Sequence, residues 1–297
     1  MLLLTGSRGF IGRALTARLR QQTLAYREIN SERGGVTRPD NFRPFTACGI
    51  RHVIHLAARV FVPDSWREPG AFFHTNLTGT QNVLEFCRAT GTGLTFVSAY
   101  LYGPPEKLPV AEDHPLHPDN PYAQSKALAE QLCGFYAREF DVPITILRPF
   151  NVYGPGQDKR FLIPWIIHQA LHEERITLRD LQPRRDFVFV DDLIDALLLT
   201  LAPAPGLTTL NIGSGTSVSV AETVTLVQSL LGTDKEVTTE NVRRKNELDD
   251  VVADISRATG MIGWRPKTSL EQGLKNMIEE LHTPRGARQG EPRAAGS

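Results

Sequence analysis

A doubly wound parallel α/β sheet joined to a smaller mixed α/β lobe is the fold class that the sequence predicts, on three observations. In the first half, short apolar runs that read as strands alternate with segments of helical periodicity, the order that builds a parallel sheet covered on both faces. A glycine-spaced turn, Gly6-Ser7-Arg8-Gly9-Phe10-Ile11-Gly12, falls between the first strand and the first helix. After Pro149 the composition turns to Pro, Gly and Arg, which sets apart a second, less regular lobe.

The elements follow in order. Residues 2–5 read as a buried strand, and residues 11–21 place Ile11, Ala14, Leu15 and Leu19 at helical spacing. Residues 23–26 read as a short second strand, followed by strands at 52–56, 94–97 and 144–147. Residues 76–87 and 122–139 read as helices; Asn120 before Pro121 gives the second a cap residue and a proline at its first position. The second half carries a helix at 164–174, a strand at 186–190 and a helix at 192–201. Ser219 with Glu222, and Ser269 with Gln272, have the spacing of capping boxes. The sheet lobe is assigned to residues 1–150, also receiving 186–202, and the second lobe to 151–281, interleaved with the first. Residues 282–297 are rich in Gly, Arg, Pro and Ala and are expected to be a disordered tail.

Composition excludes several classes. With 41% apolar and 22% charged residues in 297, this is an ordinary globular chain able to bury a core. Formal net charge is zero, so no global field draws the chain to nucleic acid or to a membrane surface. No apolar run is long enough to span a bilayer. The N-terminus enters a strand directly, with no leader, and a cytoplasmic location is expected. Cys48, Cys87 and Cys133 lack metal-ligand spacing and are expected to be reduced thiols.

The glycine turn makes the sheet lobe Rossmann-type. Gly6 permits the tight turn, Gly9 lets backbone approach a pyrophosphate, and Gly12 allows close packing of the helix. Ser7, Arg8, Phe10 and Ile11 complete a loop whose helix N-terminus offers free N–H groups to phosphate. The residue ending the second strand selects the dinucleotide: an acid suits the ribose of NAD, an arginine the 2′-phosphate of NADP. Arg27 at that end, with Arg8 in the loop, favours NADP(H). A one-residue register shift would instead place Glu28 there and make the cofactor NAD(H). Tyr122 and Lys126 share a helix face, and Ser98 lies upstream at a strand end. A Tyr-x-x-x-Lys spacing arises easily by accident, but together with the glycine loop it points to hydride chemistry at an oxygen-bearing carbon. In that arrangement the ammonium lowers the phenol's pKa. Other signals read as structure: His168 and His172 as a solvated helix face without a third ligand, Asp191-Asp192 as a helix opening, and Cys133 as helix core. No metal is expected.

Through these stretches the chain resembles the extended short-chain dehydrogenase/reductase superfamily, in its nucleotide-sugar epimerase/dehydratase branch. The resemblance runs over roughly residues 1–280. Besides the glycine loop and Tyr122-Ala-Gln-Ser-Lys126, it is carried by His55-Leu-Ala-Ala58, Tyr102-Gly103, Arg148-Pro-Phe-Asn-Val-Tyr-Gly-Pro-Gly156, Arg185-Asp-Phe-Val-Phe-Val-Asp-Asp192, Asn211-Ile-Gly-Ser-Gly215 and Gly263-Trp-Arg-Pro266. It implies that Leu56, Ala57, Ala58 and Pro149 line the cofactor, with Asn76 near the sheet edge. It also implies that Ser98 bonds the substrate oxygen, Tyr122 is the acid/base and Lys126 holds the nicotinamide ribose. Tyr100, Asn151, Arg185 and Arg244 fall where the family grips a sugar nucleotide, and the helices near 76–87 and 122–139 where it forms homodimers. Three departures narrow the implied activity. Ala99-Tyr100 stand where 4,6-dehydratases carry Asp-Glu. Tyr100 and Phe161 stand where epimerising reductases carry Cys and His. Residues 27–51 are short and lack a third strand with its usual Asp. The resemblance therefore implies an NADP(H)-dependent reductase of the 4-keto group of a nucleotide-activated deoxysugar, a step of deoxysugar biosynthesis. The alternative is an NAD-dependent nucleotide-sugar 4-epimerase.

Overall fold

The computed structural model describes residues 1–202, 205–240 and 248–282. Its strands are β1 (Leu2–Thr5), β2 (Tyr26–Ile29), β3 (His52–His55), β4 (Gly93–Val97), β5 (Ile144–Pro149), β6 (Asn151–Tyr153), β7 (Ile176–Leu178), β8 (Arg184–Arg185), β9 (Phe187–Phe189), β10 (Leu207–Ile212), β11 (Val218–Ser219) and β12 (Val237–Thr239). The helices are α1 (Phe10–Gln21), α2 (Val62–Arg67), α3 (Pro69–Phe73), α4 (Gly79–Thr90), α5 (Pro121–Glu139), α6 (Leu162–His172), α7 (Val190–Leu199), α8 (Val220–Leu231), α9 (Ser256–Ile262) and α10 (Leu270–His282).

Six strands form one parallel sheet in the order β2-β1-β3-β4-β5-β10. Alternation along the strands sorts its side chains to two faces. Leu3, Val53, Phe96 and Ile146 pack with Val83, Leu84, Cys87, Ala129 and Cys133 beneath α4 and α5. Leu2, Leu4, Ile54, Leu147 and Leu210 pack with Leu15, Leu19, Leu193 and Leu197 beneath α1 and α7. Burial on both faces is why these strands read as continuous apolar runs. Helix α5 turns the small residues Ala123, Ser125, Ala127 and Ala129 inward, which lets it lie close to its neighbours. It begins as its sequence requires, with Asn120 Oδ1 accepting from the Ala123 N–H at 2.9 Å and Pro121 at the first position.

Two strand assignments change. The second strand runs from Tyr26 to Ile29, not over 23–26. Thr23 adopts a left-handed conformation (φ 55°) and closes α1: its N–H donates to Arg20 O and that of Leu24 to Leu19 O. This paired geometry terminates a helix and consumes the residues read as strand. A β-branched residue is strained there, so Thr23→Gly should stabilise the fold by about 1 kcal/mol, relief of strain exceeding the added freedom of the unfolded chain. Urea unfolding checks it, and a destabilised variant would refute the strain. The second change is at the other edge. Leu207–Ile212 pairs with β5 along its whole length, so the stretch assigned to the second lobe supplies the sixth strand of the main sheet.

Between β2 and β3 the chain forms 3₁₀ turns over Ser31–Arg33, Gly35–Thr37 and Pro39–Phe45 instead of a third strand. Phe42 meets Phe86 of α4 at 5.7 Å between ring centroids.

The remaining short strands pair as β6 with β9, β7 with β12 and β8 with β11. Around them α6, α8 and α10 bury Ile163, Ile166, Val224, Val227, Leu274 and Met277. The capping box at α8 is complete: Glu222 N–H donates to Ser219 Oγ (3.0 Å) and Ser219 N–H to Glu222 Oε2 (2.7 Å). At α10 only half is made; Ser269 Oγ accepts from Gln272 N–H while the Gln272 amide turns to Asn276. Asp192 opens α7 as expected and accepts from the N–H groups of Lys267 and Thr268. Cys133 is buried in the core. No helix among the described residues is long and apolar enough to cross a membrane. The predicted tail beyond His282 lies outside the described residues.

Candidate functional site

The sheet order places β1 between β2 and β3, so successive connections leave to opposite sides there. Ligands of open α/β sheets bind beyond the carboxyl ends of the strands at such a reversal. Here that crevice is made by the turn after β1 and the loop after β3. Gly6 (φ 74°) lies so close to the second loop that a Cβ would stand 2.6 Å from Ala57 N. A Cβ on Gly12 would stand 2.2 Å from Gly6 O and 2.6 Å from Ser7 Cα, so Gly12 is needed where α1 packs on its own loop rather than on the sheet. Gly9 meets nothing nearer than Gly6 O at 3.3 Å, which leaves the outer side of the turn open.

Gly9 is the N-cap of α1, with no side-chain cap and no acid in the first turn. Ser7 Oγ is buried without a partner. Uncapped N–H groups, an orphaned hydroxyl and a glycine open to approach fit a dinucleotide diphosphate. Phe10 and Ile11 send their side chains into the apolar clusters and contribute backbone only. Leu56 N–H donates to Thr5 O, Ala57 and Ala58 follow at the crevice, and Pro149 ends β5 beside Ile212.

Beneath the crevice, buried polar groups lock the two loops. Thr80 Oγ1 donates to Asn76 O (2.6 Å) and therefore accepts from His55 Nε2–H (3.0 Å). That leaves His55 Nδ1 to accept from Thr5 Oγ1 (2.6 Å), which in turn accepts from the Ala57 N–H. Burial, with Lys126 nearby, lowers the His55 pKa to about 3, so the ring is neutral. Asn76 holds both the N–H and the C=O of Arg59 and donates to Ser125 of α5. It is thus a clamp between the β3 loop and α5.

The three catalytic candidates converge at the ends of β4 and α5. Lys126 Nζ donates to Val97 O at 2.5 Å and lies 4.1 Å from the Phe96 ring centroid. The next residue is Ser98, buried, its Oγ without a partner. Tyr122, one turn before Lys126, packs edge-on against Phe72. Burial pushes its phenol pKa upward, against the expected lowering by Lys126, because that ammonium is directed at Val97 O. Burial lowers the Lys126 pKa to about 8, opposed by Glu130.

Tyr100 is wedged edge-on between Tyr102 and Phe150, and its hydroxyl donates to Gly103 O (2.6 Å). Burial raises its pKa, with Arg185 close enough to oppose the rise. Asn151 donates to Asp186 O, and Arg185 to Leu248 O. Asp186 is buried and accepts from the N–H groups of Ser214, Gly215 and Ala253. Arg244 lies outside the described residues.

Arg27 does not sit at the end of β2. It pairs with Leu3 in mid-strand and is exposed, because the strand begins three residues later than predicted and ends at Ile29. Glu28, paired with Leu4, is likewise inside the strand. Asn30 follows the strand end and caps the next turn, and Glu32 forms an ion pair with Arg8 across the crevice mouth. Sequence reasoning missed Asn30 and Glu32 through that register. It also missed Glu130, although 122, 126 and 130 form a visible stripe at four-residue spacing. His168 stacks on Trp165 (5.6 Å) and lies 3.9 Å from Glu173, next to His172.

Known proteins share this fold. GDP-6-deoxy-D-mannose reductase of Pseudomonas aeruginosa is 30% identical over 292 residues, covering 94% of this chain and 96% of the relative. The solved UDP-glucose 4-epimerase of Thermotoga maritima with UDP-glucose superposes with a TM-score of 0.87 at 28% identity, covering 95% of this chain and 98% of that one. RMD from Pseudomonas aeruginosa complexed with NADPH gives 0.85 at 28% identity, covering 94% and 98%. One family description matches residues 2–213, and the chain belongs to the NAD dependent epimerase/dehydratase family.

Proposed function

We propose that this enzyme reduces the 4-keto group of a nucleotide-activated deoxysugar with a nicotinamide dinucleotide, NADP(H) being favoured. The observation that carries the reading is Tyr122 one turn before Lys126 on α5, its phenol pushed above the usual value by burial, with no carboxylate in the Ala99-Tyr100 positions. Water elimination needs a group there to move protons at carbon, and Tyr100 spends its hydroxyl on Gly103. When bound, the dinucleotide supplies hydride from its ring C4. Ser98 Oγ donates a hydrogen bond to the carbonyl oxygen, and Tyr122 delivers its proton to that oxygen as charge develops. The Lys126 ammonium, one turn away and directed at Val97 O, adds positive potential that favours the phenolate left behind, and it is proposed to hold the nicotinamide ribose. Asn151, Arg185 and Arg244 are proposed to hold the sugar-nucleotide diphosphate. Pairing of two copies through α4 and α5 is proposed with it, and light scattering tests that.

Lys126 is an ammonium below about pH 8. Dinucleotide affinity and turnover should therefore fall as pH rises through that value.

NADP(H) preference now rests on Arg8, on the uncharged Asn30 at the strand end, and on similarity to a protein complexed with NADPH. One observation favours the second reading, an NAD-dependent 4-epimerase: the Glu32 carboxylate beside Arg8 would suit ribose hydroxyls. Calorimetry of NADPH and NADH against wild type, Arg8→Ala and Glu32→Gln separates them. The reductase predicts tighter NADPH binding, weakened roughly tenfold by Arg8→Ala with NADH little changed. Preference for NADH, lost in Glu32→Gln, would replace it with the epimerase.

A further inference from the structure

Tyr122, Lys126 and Glu130 occupy one face of α5 at successive turns. Glu130 and Arg148 are 6% and 7% exposed. Arg148 Nε donates to both Glu130 oxygens (3.0 and 3.1 Å) and Nη2 donates to Oε2 (2.6 Å). Its Nη1 donates to Tyr102 OH (2.9 Å) and Glu112 O (3.1 Å), and the guanidinium lies 5.1 Å from the Tyr102 ring centroid. Tyr102 OH in turn donates a hydrogen bond to Asn211 Oδ1 (2.6 Å) near the end of β10. Tyr102 is four residues beyond Ser98. One buried cation therefore ties the helix bearing Tyr122 and Lys126 to the segment bearing Ser98.

We infer that Glu130 and Arg148 are positioning residues of the active site, a strut that fixes Ser98 against the Tyr122–Lys126 face and divides the Glu130 charge between Arg148 and Lys126. This rests on the reading that Ser98, Tyr122 and Lys126 act together. Among the described residues, the ionisable groups that act on Lys126 are Glu130 and Cys133 on α5 and neutral His55 on β3, with Tyr122 one turn before it on the same helix face; β4 presents the Val97 carbonyl and the Phe96 ring.

The test is the pH dependence of NADPH binding, followed by fluorescence, together with steady-state turnover. In Glu130→Gln the basic limb should move about one pH unit below that of wild type, since the ammonium loses its carboxylate. In Arg148→Met it should move about as far above, since the freed carboxylate turns to Lys126. Tyr102→Phe, which keeps the ion pair, should leave the limb in place and lower kcat roughly tenfold at unchanged KM through misplacement of Ser98. Loss of a purely structural pair would not move the limb in opposite directions. Limbs that coincide with wild type or shift together, or full kcat in Tyr102→Phe, overturn the inference. If the single charge variants do not fold, the double variant Glu130→Gln/Arg148→Met and Tyr102→Phe decide: the double variant should keep the low limb, and a wild-type limb refutes the strut. A wild type with no limb near pH 8 refutes the role of Lys126 itself, a separate failure visible before any variant is made.

Discussion

Tyr122→Phe should lower kcat by roughly 10²- to 10⁴-fold, the contribution of a positioned acid, with dinucleotide affinity nearly unchanged. The substitution removes one oxygen and keeps the ring that packs on Phe72, so a thermal melt should match wild type. Two polar groups of the site are already engaged. Tyr100 has its hydroxyl on Gly103 O, and Lys126 is directed to Val97 O. Wild-type turnover in the variant on a confirmed substrate would mean that the proton comes from elsewhere. Ser98→Ala should cost less, on the order of 10²-fold, because it removes one hydrogen bond to the developing oxyanion and no proton.

The second large effect is acid lability. Burial holds His52 neutral with a pKa lowered to about 4, and burial with Lys126 nearby lowers His55 to about 3, both from 6.5. Folded pKa values below the unfolded ones mean that the unfolded chain binds protons the folded one excludes. Stability is complete above pH 6.5 and is lost as pH falls towards the folded values. Two such groups together remove about 3 kcal/mol between pH 6.5 and pH 5, a large share of the roughly 5–15 kcal/mol typical of a domain. Guanidine unfolding at a series of pH values reads this as a slope approaching two protons. Replacing His52 by glutamine should remove one of them. A flat profile down to pH 5 would show that neither ring is held neutral.

The features legible in sequence were those that residues within one turn or one loop determine. Gly6, Gly9 and Gly12, the cap at Asn120-Pro121, and the box at Ser219 and Glu222 depend on local geometry and came out in place. What depended on distant partners did not. Thr23 looks like a strand residue until α1 needs a left-handed terminator, and that one position displaced β2 and removed Arg27 from the crevice. Leu207–Ile212 pairs with residues some sixty positions earlier, with nothing local to say which sheet it joins. Glu130 and Arg148 look like surface charges because each is buried only by virtue of the other. Within the candidate site, Ser98, Tyr122 and Lys126 were visible as a set, while the His55 and Asn76 locks beneath them were not.

The interleaving of the lobes bears on how the protein is made. Helix α1 buries Leu15 and Leu19 against Leu193 and Leu197 of α7, with Arg18 bonded to Asp195 at 2.6 Å, and β10 closes the sheet only at Ile212. As the nascent chain leaves the ribosome, β1 and β3 can cover only part of the apolar face of α1, and its cover is complete only when α7 has emerged, nearly two hundred residues later. Contacts so distant in sequence slow folding and leave half-made chains sticky. A fragment ending near residue 150 should accordingly emerge as an aggregating species, and synthesis of this protein should depend on chaperones that shield that face until α7 arrives.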